Sequence, residues 1–231
     1  MSGKVPNRVR ITRIQRNTPK YAGGMNQEGL INCGFGRNRV LCNYLKRRTV
    51  PRVLPGPFDA GLTNKNFLRA IDWWIYGGNK KIAVEDALGD ISVWDTSAVT
   101  NMSRAFKNGR SSSLGGNLNT TTFNDDITNW NTSAVTNMKM MFQGGIQVSA
   151  FNQDISGWDV SSVENMSYMF NASDTFNKDL TNWEVGNVTS MYAMFAGATN
   201  FNENLLWGVK TSKVTNMGSM FSNADNFNKN I

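Results

Sequence analysis

The apolar positions of residues 90–231 recur in one spacing. Tryptophans stand at Trp94, Trp130, Trp158, Trp183 and Trp207, and valines follow at Val99, Val135, Val163, Val188 and Val214. Three residues after each valine comes a methionine (Met102, Met138, Met166, Met191, Met217), and four residues later a phenylalanine (Phe106, Phe142, Phe170, Phe195, Phe221). A Phe-Asn pair closes each unit, at Phe123-Asn124, Phe151-Asn152, Phe176-Asn177, Phe201-Asn202 and Phe227-Asn228. The valines lie 36, 28, 25 and 26 residues apart, so the first two intervals carry insertions into a shorter unit. A period of this size marks a stack of repeats.

Within a unit, Val163, Met166, Met169 and Phe170 fall at i, i+3, i+6 and i+7, which predicts one face of a short helix capped by Ser161 or Ser162. The stretch before it turns Phe151, Ile155 and Trp158 inward from an extended or turning segment. The expected fold is therefore an α/β repeat, a solenoid whose unit is a short strand, a turn and a short helix. One unit cannot bury its apolar side alone, so the Trp, Met and Phe columns read as ladders in a continuous core rather than as a ligand groove. Methionine suits such ladders because it fits irregular gaps between aromatic rings.

The polar columns follow the same logic. Asp126, Asp154 and Asp179 share a slot with Asn204 and Asn230. A slot that also accepts amides is not a paired-carboxylate centre. The Asn that follows each closing Phe is expected to bond turn backbone. The Asn-x-Ser/Thr triplets at Asn101, Asn131, Asn165 and Asn187 arise from the repeat itself.

The consensus V-T-N-M-S-x-M-F-x-x-A-x-x-F-N-x-D-I-x-x-W-D resembles the surface-protein repeat of Mycoplasma and Listeria lipoproteins, which is related to BspA-type leucine-rich repeats. The resemblance covers residues 90–231. It implies a leucine-rich-repeat-like solenoid with strands lining one face, and in bacteria a surface role in adhesion or protein binding. Similar repeats occur in proteins of large DNA viruses of algae and protists. This chain has neither the leader nor the lipobox cysteine of the bacterial proteins, which turns the expectation toward a virion or cytoplasmic setting.

Residues 1–62 differ. Of the net charge of +7, they carry +10, from twelve Lys/Arg against Glu28 and Asp59, which leaves −3 for the remainder. The segment is rich in Gly, Pro and Arg, with too little periodic apolar surface for its own core, and reads as an extended basic arm. Arg37, Arg39, Lys46, Arg47, Arg48 and Arg52 are its candidate partner-binding residues. Three readings of the arm stay open: a solvated segment, a strap on a partner protein, or a nucleic-acid contact. Gly34-Phe35-Gly36 lacks the fingerprint of a phosphate loop. Cys33 and Cys42 either pair with each other or stand as two isolated thiols.

Residues 63–89 form a third region. Phe67, Ile71, Trp74 and Ile75 share a helical face, Asn64 or Asn66 stands at its start, and Gly77-Gly78 ends it. Its expected role is to cap the first repeat. At the other end, the last repeat has no polar segment after it, so a partner or its own last residues must cover it.

The chain contains no histidine, which excludes His-based acid–base chemistry, Ser-His and Cys-His nucleophiles and His metal sites. No catalytic residue, cofactor or metal is expected, nor a membrane span or secretory signal. The functional expectation is a non-enzymatic structural protein that binds other proteins. Its most concrete version is a minor capsid protein of a giant virus, bridging neighbouring subunits through solenoid and arm. The alternatives are an adhesin-like host-interaction protein and a nucleic-acid-binding protein acting through the arm.

Overall fold

The apolar face of FLRAIDWWIY winds into helix α1, Phe67–Tyr76, in a computed structural model that describes residues 56–231. Cys33, Cys42 and the arm residues Arg37, Arg39, Lys46, Arg47, Arg48 and Arg52 lie outside the described residues. Phe67, Ile71 and Trp74 of α1 are buried, and Phe58 and Leu62, from the segment just before it, enter the same core. The Asn66 carbonyl accepts the Ala70 N–H, but its side chain makes no hydrogen bond into the helix. Its amide instead ties down the preceding turn: Oδ1 accepts from the Thr63 N–H at 2.8 Å, and Nδ2 donates to the Gly61 carbonyl at 2.8 Å.

Gly77, at φ 76°, ends α1, and a second helix, α2 (Gly78–Leu88), begins at once. Its sequence, GNKKIAVEDAL, has no apolar stripe, and only Val84 is buried. Part of what holds α2 is the ammonium groups of Lys80 and Lys81, which sit 4.2 and 3.9 Å from the ring centres of Trp73 and Trp74. A pattern-based reading has nothing to detect there.

Five coils follow, with Met-to-Phe segments at 102–106, 138–142, 166–170, 191–195 and 217–221. They do not have the expected α/β unit. Among the described residues there is no strand, and α1 and α2 are the only α-helices, so the chain is not an α/β leucine-rich-repeat solenoid. Successive coils meet instead through single parallel bridges, Asn101 to Asn137, Asn137 to Asn165, Asn165 to Ser190 and Ser190 to Asn216.

The hydrogen bonds show why. In coil 3, the Met169 N–H donates to the Met166 carbonyl and the Asn171 N–H to the Tyr168 carbonyl, each closing a four-residue turn. The alternate N–H groups of Met166, Tyr168 and Phe170 leave the coil and donate to Ser190, Tyr192 and Met194 of the next one, at 2.8–3.0 Å. Donors spent between coils cannot close i→i−4 helical bonds. Chain that bends every three residues cannot run straight as a strand. Each coil also places a non-glycine residue of the same slot in the left-handed region, Arg104 (φ 61°), Met140 (59°), Tyr168 (59°), Ala193 (51°) and Ser219 (57°), and coils 3 and 5 add Ala172 (53°) and Asn223 (57°). That conformation costs about 1–2 kcal/mol per residue and interrupts any right-handed helix.

The core lies inside the coils. The first phenylalanine column, Phe106 to Phe221, stacks at successive centroid distances of 5.6, 5.7, 5.4 and 5.7 Å. The second, Phe123 to Phe227, stacks at 6.0, 6.0, 6.2 and 5.9 Å. Within each coil the two rings lie face to face at 3.9–4.1 Å. All five column tryptophans are buried, and the indole N–H of each of Trp130, Trp158, Trp183 and Trp207 donates to a carbonyl of the coil before it: Ile91, Ile127, Ile155 and Leu180. The ladder thus satisfies its one polar atom inside the core. Met102, Met138, Met166 and Met191 are fully buried, while Met217 of the last coil is 38% exposed.

Coil packing makes one glycine obligatory. A Cβ on Gly144 would stand 1.8 Å from the Ala172 carbonyl oxygen, backbone that cannot swing aside. Gly144→Ala is expected to lower stability by about 1–3 kcal/mol through the forced shift between coils 2 and 3. Urea unfolding would show it, and a midpoint equal to that of the parent would refute the close approach.

Candidate interaction surface

The Trp, Met and Phe columns singled out in the sequence are brought together as core, with Met217 and the half-buried Phe221 at its open end. The Asn column bonds along the stack. Asn124 Oδ1 accepts from the Asn152 N–H at 2.8 Å, Asn152 from Asn177 at 3.0 Å, Asn177 from Asn202 at 2.8 Å and Asn202 from Asn228 at 2.9 Å. Each side chain therefore completes the backbone of the next coil.

The aspartates close local turns. Asp90 accepts the hydroxyl and then the backbone N–H of Ser92, and Asp126 the backbone N–H of Thr128 and then its hydroxyl. Asp154 and Asp179 stand beside the hydroxyls of Ser156 and Thr181 and accept the backbone N–H of each, and these contacts hold all four carboxyls below the usual range. The like charge of Asp90 on Asp126, and of Asp154 on Asp179, acts the other way and is outweighed. Because the folded-state values are lowered, the stability they contribute is present above the ordinary aspartate value, about 3.9, and is lost as pH falls through the lowered values. These groups are solvent-exposed, so each contribution is small. Urea midpoints measured from neutral pH to about pH 3 should decline on the acid side, and Asp154→Asn with Asp179→Asn should flatten that decline. An unchanged acid limb in the double variant would contradict the assignment.

Two columns, outward except at the buried Ser167 and Ala193, change from coil to coil. One column reads Ser103, Lys139, Ser167, Tyr192, Gly218; the next reads Arg104, Met140, Tyr168, Ala193, Ser219. Backbone bonds set the second column beside the first in the following coil: Arg104 N–H to Lys139, Met140 to Ser167, Tyr168 to Tyr192 and Ala193 to Gly218. The Tyr168 and Tyr192 rings meet edge to face at 5.2 Å. The Tyr192 ring lies over Gly218, where a Cβ would approach it to 3.2 Å. A cationic and aromatic strip of Arg104, Lys139, Met140, Tyr168 and Tyr192 results. It contains the residue types enriched where proteins bind one another.

A second cluster, absent from the sequence expectations, lies where α1 meets coil 1. The insertion after Phe106 folds back as a hairpin, with the Leu118 N–H donating to Arg110 and the Gly109 N–H to Leu118. It carries Arg110 to Asp72 of α1, with Nη2 to Oδ1 at 2.6 Å and exposures of only 8% and 1%. That contact is out of line for a hydrogen bond, and Oδ1 has no other donor, so it acts as a buried ion pair. Asp72 Oδ2 accepts from the Ser113 N–H at 2.6 Å, and the guanidinium donates to the Ala105 carbonyl at 3.1 Å. Nearby, Asn64 Oδ1 accepts from the N–H groups of Thr100 and Asn101 at 2.9 and 3.1 Å. Arg110 and Asn64 thus supply two of the bonds a preceding coil would make, a donor to the Ala105 carbonyl and an acceptor for the Thr100 N–H. The one available signal was an acid inside the otherwise apolar run Ile71-Asp72-Trp73-Trp74-Ile75.

Among the described residues, no group of three or more His, Cys, Asp or Glu side chains comes together, and no helix is long and apolar enough to cross a membrane.

Fold and surface define a class: a stack of turn-built repeats with an invariant core and a variable outer strip. Residues 83–148 and 112–231 match the family described as "Mycoplasma protein of unknown function, DUF285". Those matches span more than half of the chain, and the chain belongs to that family. No curated protein and no solved structure shows significant similarity to it. The family match supports the Mycoplasma part of the resemblance and neither its leucine-rich-repeat nor its viral part.

Proposed function

We propose that this chain is a non-enzymatic protein that binds other proteins through the outward strip of Arg104, Lys139, Met140, Tyr168 and Tyr192. One observation carries the reading: inward columns keep their residue in nearly every coil, while the two outward columns change at every coil. A core under packing constraint tolerates one residue per slot, whereas a surface used for recognition needs different ones. Hydrogen bonding within and between coils also engages the Asp and Asn columns, which leaves the strip as the part available to a partner. The family match gives no support to the virion version of this expectation, so the reading stays at a protein-binding scaffold.

The test is site-specific photocrosslinking of the full chain in cells, with a photoreactive residue at position 192 and a control at Glu85 on α2. A discrete protein adduct at 192, lost on Tyr168→Ala and Arg104→Ala, is expected. Equal labelling at both positions would overturn the strip as the binding face.

A further inference from the structure

Three cations meet at one backbone position on coils 1 and 2. The Arg104 N–H donates to the Lys139 carbonyl at 2.9 Å, and the Arg104 carbonyl accepts from the Lys107 N–H at 3.2 Å. The Nε of a fourth cation, Arg110, donates to the same carbonyl at 2.8 Å, but Asp72 neutralises that charge. None of Arg104, Lys107 and Lys139 has a salt-bridge partner among the described residues. Yet acids outnumber cations on this body: residues 63–231 carry −3 in all, and Asp90, Asp126, Asp154 and Asp179 stand in a different column. A cluster of one sign left unpaired repels itself, and an anionic partner would relieve that repulsion.

Next to the cations stands an exposed apolar pair. The insertion after Phe142 leaves Ile146 fully exposed and Val148 63% exposed. Backbone bonds fix both ends of this loop, from the Gly144 N–H to the Asn171 carbonyl at 2.9 Å and from the Ala150 N–H to the Thr121 carbonyl at 2.8 Å. Gly145 lies against Asn108, the neighbour of Lys107, where a Cβ would come within 2.7 Å of Nδ2. Insertions in repeat arrays gather on one face, often the one that binds. We propose that Arg104, Lys107, Lys139, Ile146 and Val148 dock an acidic segment of a partner protein that carries apolar residues among its carboxylates. This rests on the protein-binding reading above and names the chemistry of the partner. Lys107 and the loop lie outside the strip argued there. A nucleic acid fits the surface less well. Phosphate binding draws on a longer cationic track than three side chains, and it leaves Ile146 and Val148 without a counterpart.

The test uses the full chain with a synthetic peptide of Asp-Glu pairs separated by photoreactive leucine, irradiated and mapped by mass spectrometry. Adducts within residues 139–148 are expected. Their yield should fall about tenfold or more with Lys107→Glu and Lys139→Glu together, and about threefold or more with Ile146→Ser and Val148→Ser. None of the four side chains is buried, so the variants keep the fold, which unchanged tryptophan fluorescence would verify. Adducts confined to residues 1–62, or a yield here that ignores the charge reversal, would overturn the proposal. So would competition by single-stranded DNA or anionic phospholipid vesicles as strong as that by unlabelled peptide. Self-association of the chain in sedimentation without peptide, lost on the same charge reversal, would assign the surface to the acidic column of a second copy and overturn it as well. The two readings fail separately. An adduct at position 192 in cells with no peptide adduct here leaves only the strip standing, and the reverse result leaves only this surface.

Discussion

Phe170→Ala is expected to lower the unfolding free energy by about 3–5 kcal/mol. The ring is fully buried at the crossing of both phenylalanine columns. It lies 5.7 Å from Phe142, 5.4 Å from Phe195, 4.0 Å from Phe176 and 6.4 Å from Trp183. Truncation removes the transfer free energy of the ring and leaves a cavity that stacked backbone on both sides cannot collapse. It also weakens two coil–coil interfaces at once, and in a repeat array stability is close to a sum of nearest-neighbour contributions. Phe221→Ala supplies the control, since that ring has a single neighbour in its own column and is only half-buried. Urea unfolding followed by tryptophan fluorescence should give the central variant a clearly lower midpoint than the terminal one. Equal midpoints would mean that the columns do not couple the coils.

Arg110→Met comes next, with an expected loss of about 3–5 kcal/mol. The substitution leaves Asp72, 1% exposed, as a buried carboxylate without its countercharge. It also deprives the Ala105 carbonyl of the guanidinium donor. Asp72→Leu alone should cost a comparable amount, since it strands the arginine and the Ser113 N–H. The double variant should recover most of the charge penalty, because an apolar pair of similar volume needs no desolvation. It should not recover all of it, as an unbonded carbonyl and N–H remain, each worth about 1–3 kcal/mol. A double-mutant cycle reads this directly. Additive losses would show that the two groups do not interact across α1 and the hairpin.

The i, i+3, i+6, i+7 spacing of Val163, Met166, Met169 and Phe170 identified the buried side chains of the unit and misassigned its backbone. Successive turns closed by bonds between residues i and i+3 bring every third residue to the same side, as a helix does. Apolar pattern alone cannot separate them. The deciding feature, Tyr168 in the left-handed region, carries no glycine to announce it. The ion pair of Asp72 with Arg110 was illegible for another reason. Its partners are 38 residues apart, and one sits in an insertion that breaks the period.

By itself, then, the sequence determined that a unit recurs, which residues of each unit face inward, and that α1 presents an apolar face. Periodicity reports burial, and burial follows from where water is excluded. Tertiary structure alone decided that the unit is built of turns, that each Met-to-Phe segment donates its alternate N–H groups to the next coil, and that Arg110 and Asn64 bond the open side of coil 1. Those outcomes depend on where each backbone N–H finds its acceptor, and here the acceptor lies in the next coil, about 25 residues away in sequence.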